Sequence, residues 1–230
     1  MLLLLKAPPS VINQQQRQAA ENVILTFRKS KSPFEVCQFL LENSKSDYVL
    51  FQAASTIKEA MIREWMILSP EQISSMRSFL LKFVTQNPGL SNYVREQTLQ
   101  TVAVIYKRGT LEDKATGREA LLQDVSQLIA SGNTSMQMTA CSMLTALLNE
   151  YSGNAKTSAI GLSWQFHNDC KKSFESHDLK QVFQFALQVL HQLVSSLDTI
   201  SREVSSLLGR ILGISEQVLC WDFVFSTHIL

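Results

Sequence analysis

The sequence predicts an all-α protein, an α-solenoid in which antiparallel helix pairs stack one after another. Three observations predict this fold class. Glycine and proline are scarce, with eight and five among 230 residues, and no proline follows Pro88. Apolar residues, 45% of the chain, recur at steps of three and four over long segments, as on one face of a helix. Alternate segments of this kind also begin at a nearly constant spacing.

The first four predicted helices carry the clearest start signals. Ser69-Pro70-Glu71-Gln72 is a capping box with proline at the first helical position, and the pair Ser32-Pro33 begins another helix with a cap and a first-turn proline. The third helix places its apolar residues on one face, and Trp65 lies on that face, so we expect Trp65 to be buried between adjacent units. These four helices cover about 10–29, 32–43, 46–68 and 69–87.

Six further helices follow, interrupted by a loop at about 152–161. Gly132 ends one of them, and Gly209 and Gly213 leave open whether the last is one helix or two. The six cover about 91–108, 111–131, 133–152, 162–176, 178–197 and 199–225.

Alternate helices begin near 46, 91, 133 and 178, at spacings of 45, 42 and 45 residues. This period is typical of HEAT or armadillo units, whose helix pairs bury their apolar faces only by stacking on their neighbours. The sequence therefore predicts a HEAT-repeat α-solenoid, a right-handed stack of about five antiparallel pairs. A large irregular helical bundle is the alternative.

Charge and targeting signals exclude several classes of protein. Lys and Arg (21) nearly balance Asp and Glu (20), whereas a nucleic-acid-binding protein normally carries a basic excess. No apolar run reaches the length of a transmembrane helix, and the leucine run before Lys6 is too short for a signal peptide. The four cysteines are scattered, as in reduced intracellular proteins. We expect a soluble intracellular protein without nucleic-acid binding or membrane insertion.

The sequence contains no recognisable catalytic motif. It has no GxxxxGK[ST] or GxGxxG phosphate-binding loop and no HExxH. The best metal candidate is His167-x-x-Cys170 with His177 nearby, but a zinc site needs three or four convergent ligands. We therefore expect a packed cysteine and a partly exposed histidine rather than a metal site. The sequence predicts a protein-binding scaffold, not an enzyme, with no cofactor and no metal.

Several segments resemble the importin-β N-terminal domain, which begins the karyopherin nuclear transport receptors. The most specific are Phe51-Gln52-Ala53-Ala54 and Arg63-Glu64-Trp65, and the resemblance spans about 8–222. The remaining segments lie at 18–21, 77–81, 93–97 and 104–109, and those at 27–34, 125–129 and 161–163 resemble the export receptors of the family.

This resemblance implies a nuclear export receptor. Such a receptor binds protein cargo together with the GTP form of Ran, contacts nuclear pore proteins, and shuttles between nucleus and cytoplasm. It also implies the division into an N-terminal tail (1–9), an importin-β N-terminal-like domain of two HEAT units (10–87), further HEAT units (88–225) and a C-terminal tail (226–230), where the chain departs from the longer family pattern. We expect the last apolar face, around Val218, Leu219 and Trp221, to be exposed and to self-associate. A generic HEAT scaffold that organises a complex without Ran is the alternative.

The resemblance further implies that the second helix of each early unit faces Ran, and helical geometry selects residues on those helices. The apolar stripe at 73, 76, 80 and 83 leaves Ser78 and Lys82 on the opposite side. The stripe at 121, 125 and 128 similarly leaves Gln123 and Gln127 outward, and Gln38 is the choice on helix 32–43. Each of these could equally be a solvated position without a partner.

Overall fold

The computed structural model describes residues 13–112, 118–153, 158, 160–195 and 201–224, without the side chains of 118–120. The described residues form ten α-helices and a short 3-10 helix, Trp65–Ile67, and contain no strand, which confirms the predicted all-α helical-repeat solenoid. The predicted tails 1–9 and 226–230 and the start of the first helix lie outside these residues. The helices are α1 (Gln14–Arg28), α2 (Phe34–Asn43), α3 (Asp47–Glu64), α4 (Pro70–Gln86), α5 (Asn92–Arg108), α6 (Arg118–Ala130), α7 (Thr134–Ser152), α8 (Trp164–His177), α9 (Leu179–Ser195) and α10 (Arg202–Leu219).

Nine of these helices form two rows. In the first, which we name the A row, α1, α3, α5, α7 and α10 pack successively against one another. The second, the B row, consists of α2, α4, α6 and α9, and each B helix packs most extensively against the A helix that follows it in the chain. Short connections at 44–46, 87–91 and 131–133 join the members of these pairs. The apolar core lies between the two rows.

Helix α8 belongs to neither row and interrupts the predicted period. It packs between α7 and α9, with the ring of Phe174 centred 4.3 Å from that of Tyr151 and 5.8 Å from that of Trp221. The A-row helices α3, α5, α7 and α10 therefore begin at Asp47, Asn92, Thr134 and Arg202. The first three starts agree with the predicted spacing, but the fourth prediction, 178, is wrong because the helix that begins there belongs to the B row.

Two predicted helix starts, at Ser69 and Asn133, are confirmed in atomic detail. The predicted cap at Ser32 is wrong, because α2 begins after Pro33, which makes no side-chain capping hydrogen bond. The Ser69 hydroxyl accepts a hydrogen bond from the Gln72 N–H (3.3 Å), and the Gln72 side chain accepts one from the Ser69 N–H (2.9 Å). The Asn133 side chain caps α7 by accepting from the Ser135 N–H (2.9 Å). Gly132, after α6, has φ 65°, a left-handed conformation that glycine adopts without steric cost.

Two predicted boundaries differ from the structure. The predicted helix start at 111 is wrong, because 110–112 form a turn in which the Glu112 N–H donates to the Gly109 carbonyl (3.2 Å). The helix of that region begins at Arg118. The last helix, predicted to run to about 225, ends at Leu219. It is a single piece, and both Gly209 and Gly213 lie on its exposed surface.

Trp65 is buried at the junction of α3 and α5, as predicted. Only 1% of its surface is exposed, and its indole N–H donates to the carboxylate of Glu112 (2.8 Å). The Arg108 guanidinium lies over the indole ring, 5.1 Å from its centroid. The side chain therefore joins the ends of two successive A helices.

Candidate protein-binding surface

A hydrogen-bonded clamp at the end of α3 positions the start of α2. The buried carboxylate of Glu64 accepts hydrogen bonds from the N–H of Ser32 (3.1 Å) and from its hydroxyl (3.2 Å). Arg63 donates to the main-chain oxygens of Arg28 (3.2 Å) and Ser30 (2.7 Å). Ser32 has φ 47°, which is uncommon for a residue other than glycine, and its bonds to Glu64 hold it there. The Arg63-Glu64-Trp65 segment thus serves the packing of the repeats.

The protonation of Glu64 reflects this clamp. Burial alone would raise the pKa of its carboxyl, but the hydrogen bonds from Arg63 and Ser32 favour the charged form and leave the pKa below its usual value. Glu64 therefore remains ionised in the folded protein.

Next to this clamp, a groove lies between α2 and α4, the first two helices of the B row. Its volume is about 360 Å³, and its floor comes from the end of α3 and from Leu68. Apolar side chains form most of the floor, and polar side chains form the rim. The lining residues are Phe34, Glu35, Gln38, Met61, Leu68, Glu71, Gln72, Ser75 and Met76.

The rim of this groove is acidic. Its lining includes the carboxylates of Glu35 and Glu71, both exposed, and no lysine or arginine. The pKa of Glu71 is lowered because its carboxylate accepts hydrogen bonds from the Ser69 side chain and from its own N–H at the start of α4. Phe39, on the same helix as Glu35, is 62% exposed. The surface around the α2–α4 groove therefore exposes apolar side chains next to negatively charged ones.

Three of the residues predicted from the sequence belong to this region. Gln38 is half-buried and lines the groove. Ser78 and Lys82 are exposed on α4, seven and eleven positions after Glu71, which places all three on one face of the helix. The predicted outward positions on α4 therefore continue the groove wall along the B row.

The other two predicted residues, Gln123 and Gln127, are exposed on α6, the next B helix. Arg77, buried in α4, interacts electrostatically with Asp124 beside them. Burial raises the pKa of Asp124, and the charge of Arg77 partly offsets this effect. No hydrogen bond between described side chains joins the two glutamines to Ser78 or Lys82.

Sequence reasoning did not identify the groove itself. Its lining residues come from three helices and from Leu68 between two of them, and no single helical pattern shows that they meet. One signal was present, because each serine–proline helix start is followed closely by a glutamate, Glu35 or Glu71. The buried stripe of α6 was also slightly misplaced, since Leu128 is half-buried whereas Ile129 is fully buried.

The candidate metal ligands on α8 do not converge. His167 is buried, contrary to the expectation of a partly exposed histidine, because α8 packs against α7 and α9 and residues 222–224 lie beside it. The Cys170 thiol donates to the main-chain oxygen of Lys107 (3.6 Å), and His177 is exposed. Among the residues that the structure describes, no three His, Cys, Asp or Glu side chains are placed to hold a metal.

The buried cysteines also lack the features of a nucleophile. Burial raises the pKa of the thiols of Cys37, Cys141 and Cys170 to about 12 in each case. A thiol with such a pKa carries almost no thiolate at neutral pH, which is the reactive form.

None of the described helices has both the length and the hydropathy that crossing a bilayer requires.

Comparison with known proteins identifies the family. The family model described as Exportin-4 matches residues 9–228. The chain belongs to the exportin-4 family. The segments at 27–34, 125–129 and 161–163 predict exportin-4 rather than exportin-7 within the karyopherins, and this match confirms that prediction.

Individual proteins similar to this chain include exportin-4 itself, an exportin-7 and a Ran-binding protein. Exportin-4 of Dictyostelium discoideum is 25% identical over 227 residues, covering 92% of this chain and 20% of that protein. Exportin-7-A of Xenopus laevis is 24% identical over 211 residues (90% and 19%), and Ran-binding protein 17 of Homo sapiens is 25% identical over 219 (92% and 19%). The chain spans about a fifth of the length of these relatives.

Proposed function

We propose that this chain is the Ran-binding N-terminal part of a nuclear export receptor. In this proposal the GTP form of Ran contacts the B row, through the α2–α4 groove and the exposed residues Ser78, Lys82, Gln123 and Gln127. The observation that supports the site is the groove, which combines an apolar floor with an acidic rim on the helices that the family resemblance assigns to Ran.

The chemistry of the groove suits a protein partner. A pocket floored by Met61, Leu68 and Met76 can desolvate an apolar side chain, and such anchors supply most of the energy of an interface. The carboxylates of Glu35 and Glu71 at the rim favour a partner segment whose apolar anchor has basic neighbours.

The wider cycle follows from the family. The receptor would bind protein cargo and Ran-GTP together, pass the pore through contacts with nuclear pore proteins, and shuttle between nucleus and cytoplasm. Each ligand then raises the affinity for the other by the same factor. The protein would act by binding rather than by catalysis, and it would not bind nucleic acid.

The test is a titration of Ran-GTP against this chain and against a combined variant. The variant carries Lys82→Glu with Ser78→Trp, Gln123→Trp and Gln127→Trp, and we expect weaker binding with an unchanged circular dichroism spectrum. Single changes at an interface are often silent, which is why the changes are combined. A control variant places one change of each kind on α8, outside both rows, as Lys172→Glu, Gln165→Trp and Ser176→Trp at exposed residues.

The titration distinguishes the possible outcomes. Equal affinity of the wild type and the combined variant would show that the Ran surface lies elsewhere. Binding of wild type to neither the GTP nor the GDP form would favour the alternative, a HEAT scaffold that organises a complex without Ran.

A further inference from the structure

A second cleft lies at one edge of the A row, where the first turns of α5, α7 and α10 meet. Its volume is about 710 Å³, and it shares no lining residue with the α2–α4 groove. Two arginines, Arg95 and Arg202, face it from opposite sides of α7 in the row. The lining residues are Pro88, Arg95, Asn133, Thr134, Ser135, Met138, Arg202, Glu203 and Ser206.

Arg95 is fixed in place with part of its guanidinium unsatisfied. One terminal nitrogen donates to the main-chain oxygens of Pro88 (2.8 Å) and Leu90 (3.3 Å), while Nε is buried without a hydrogen-bond partner. Because the buried Nε cannot be reached from the cleft, Arg95 would meet a bound carboxylate through its terminal nitrogens.

The carboxylates near the cleft are committed to other groups. Glu203 accepts hydrogen bonds from its own N–H and from Ser201 at the start of α10, which lowers its pKa. Glu96 forms an ion pair with Arg210 (3.6 Å). Neither Arg95 nor Arg202 forms an ion pair with a carboxylate in the described part of the chain.

Further positive potential comes from the surroundings. Burial is the main cause of the lowered pKa of Arg95, to which Arg210 adds and which Glu96 opposes, so this ion pair contributes little net charge. The N-termini of α7 and α10 add partial positive charge, although Asn133 and Ser201 cap part of their N–H groups. The hydroxyls of Thr134 and Ser135 are additional donors beside Asn133.

We propose that this cleft binds carboxylate side chains of an acidic segment of a partner protein, with Arg95 and Arg202 as its two anchors. Two guanidinium groups can each pair with a carboxylate through several N–H donors, which suits consecutive or alternate acidic residues. This site is independent of the proposed Ran surface, because the two lie on different helices and edges.

The test uses the full 230-residue chain and a fluorescein-labelled decamer of glutamate, with the glutamine decamer as a neutral probe. Fluorescence anisotropy at low and at physiological salt should show binding of the glutamate peptide alone, weakened by salt. Arg202→Gln should weaken it about threefold, and Arg95→Gln about tenfold, since Arg95 is partly buried. The control Lys180→Gln removes an equal charge at an exposed site of α9 and should have no effect.

Each result decides the proposal. Equal weakening by Lys180→Gln and Arg202→Gln, or equal binding of the two decamers, would overturn it. Binding of inorganic phosphate without binding of the glutamate peptide would also overturn it. Arg95→Gln could disturb the loop that contains Pro88, so its melting curve is measured, and Arg202→Gln provides the decisive comparison because Arg202 is exposed.

Discussion

The side-chain nitrogen of Lys107 lies 2.6 Å from the main-chain oxygen of Glu150 and 3.6 Å from its carboxylate, and both residues are buried between α5 and α7. Gln100 also donates to this carboxylate (2.7 Å). Burial lowers the pKa of Lys107 and raises that of Glu150, while the charge of each partner opposes these effects. The stacking of the A row therefore includes an ionic contact whose two charges depend on each other.

We expect Lys107→Met to destabilise the protein by about 3–5 kcal/mol, because it leaves the Glu150 carboxylate buried without its cation. Glu150→Gln should be costly for the same reason. The double variant should lose less than the sum of the two losses, since neither charge then remains unpaired. Urea unfolding of the four proteins measures this coupling, and strictly additive losses would contradict it.

Glu64→Gln should alter the dependence of stability on pH. The folded-state pKa of Glu64 is below its ordinary value of 4.5, so its stabilising effect is present above about pH 4.5 and disappears as the pH falls through the lowered folded pKa. Near neutrality we expect the variant to be less stable by about 1–3 kcal/mol.

Unfolding measured from pH 7 to pH 3 should show the wild type and Glu64→Gln converging at the acid end. A constant difference across that range would show that the charge of Glu64 does not support the α1–α2 connection.

Trp65→Ala should cost about 3–5 kcal/mol, because it leaves a large cavity between α3 and α5 and removes the partner of Glu112. Trp164→Ala is the matched control, since Trp164 is 64% exposed. Thermal melts followed by circular dichroism should show a large decrease in Tm for the first variant and little change for the second. Similar Tm values for both would mean that Trp65 does not join the two units.

The outer face of α10 should make the chain self-associate. Of the face predicted from the sequence, Leu219 is exposed, but Val218 is half-buried and Trp221 is buried, because both pack against the core. Leu212 and Leu219 are 54% and 73% exposed, and they lie seven residues apart on one face of the helix. Analytical ultracentrifugation should show association that increases with concentration. Changing both leucines to serine should abolish it, whereas Leu187→Ser on α9 should not. Monomeric wild type at all concentrations would refute the prediction.

Local features of this fold were predictable because they depend on near neighbours in the chain. The capping box at Ser69, the end of α6 at Gly132 and the exposure of Lys82 each follow from residues within about one or two turns. The contact between Glu64 and Ser32 joins residues far apart in sequence, and no local pattern reveals it. The groove was missed for the same reason, since α2, α3 and α4 each contribute only part of it.

The insertion of α8 does more than interrupt the repeat period, because it also changes which row each later helix joins. In a stack of two rows, a helix belongs to the A or the B side according to whether its position in the chain is odd or even. Up to α7 that rule holds, with odd helices in the A row. One additional helix reverses it, so α9 presents a B surface and α10 an A surface. Any later helix would inherit this reversed parity, and assigning surfaces by counting from the N-terminus would place every one of them on the wrong side.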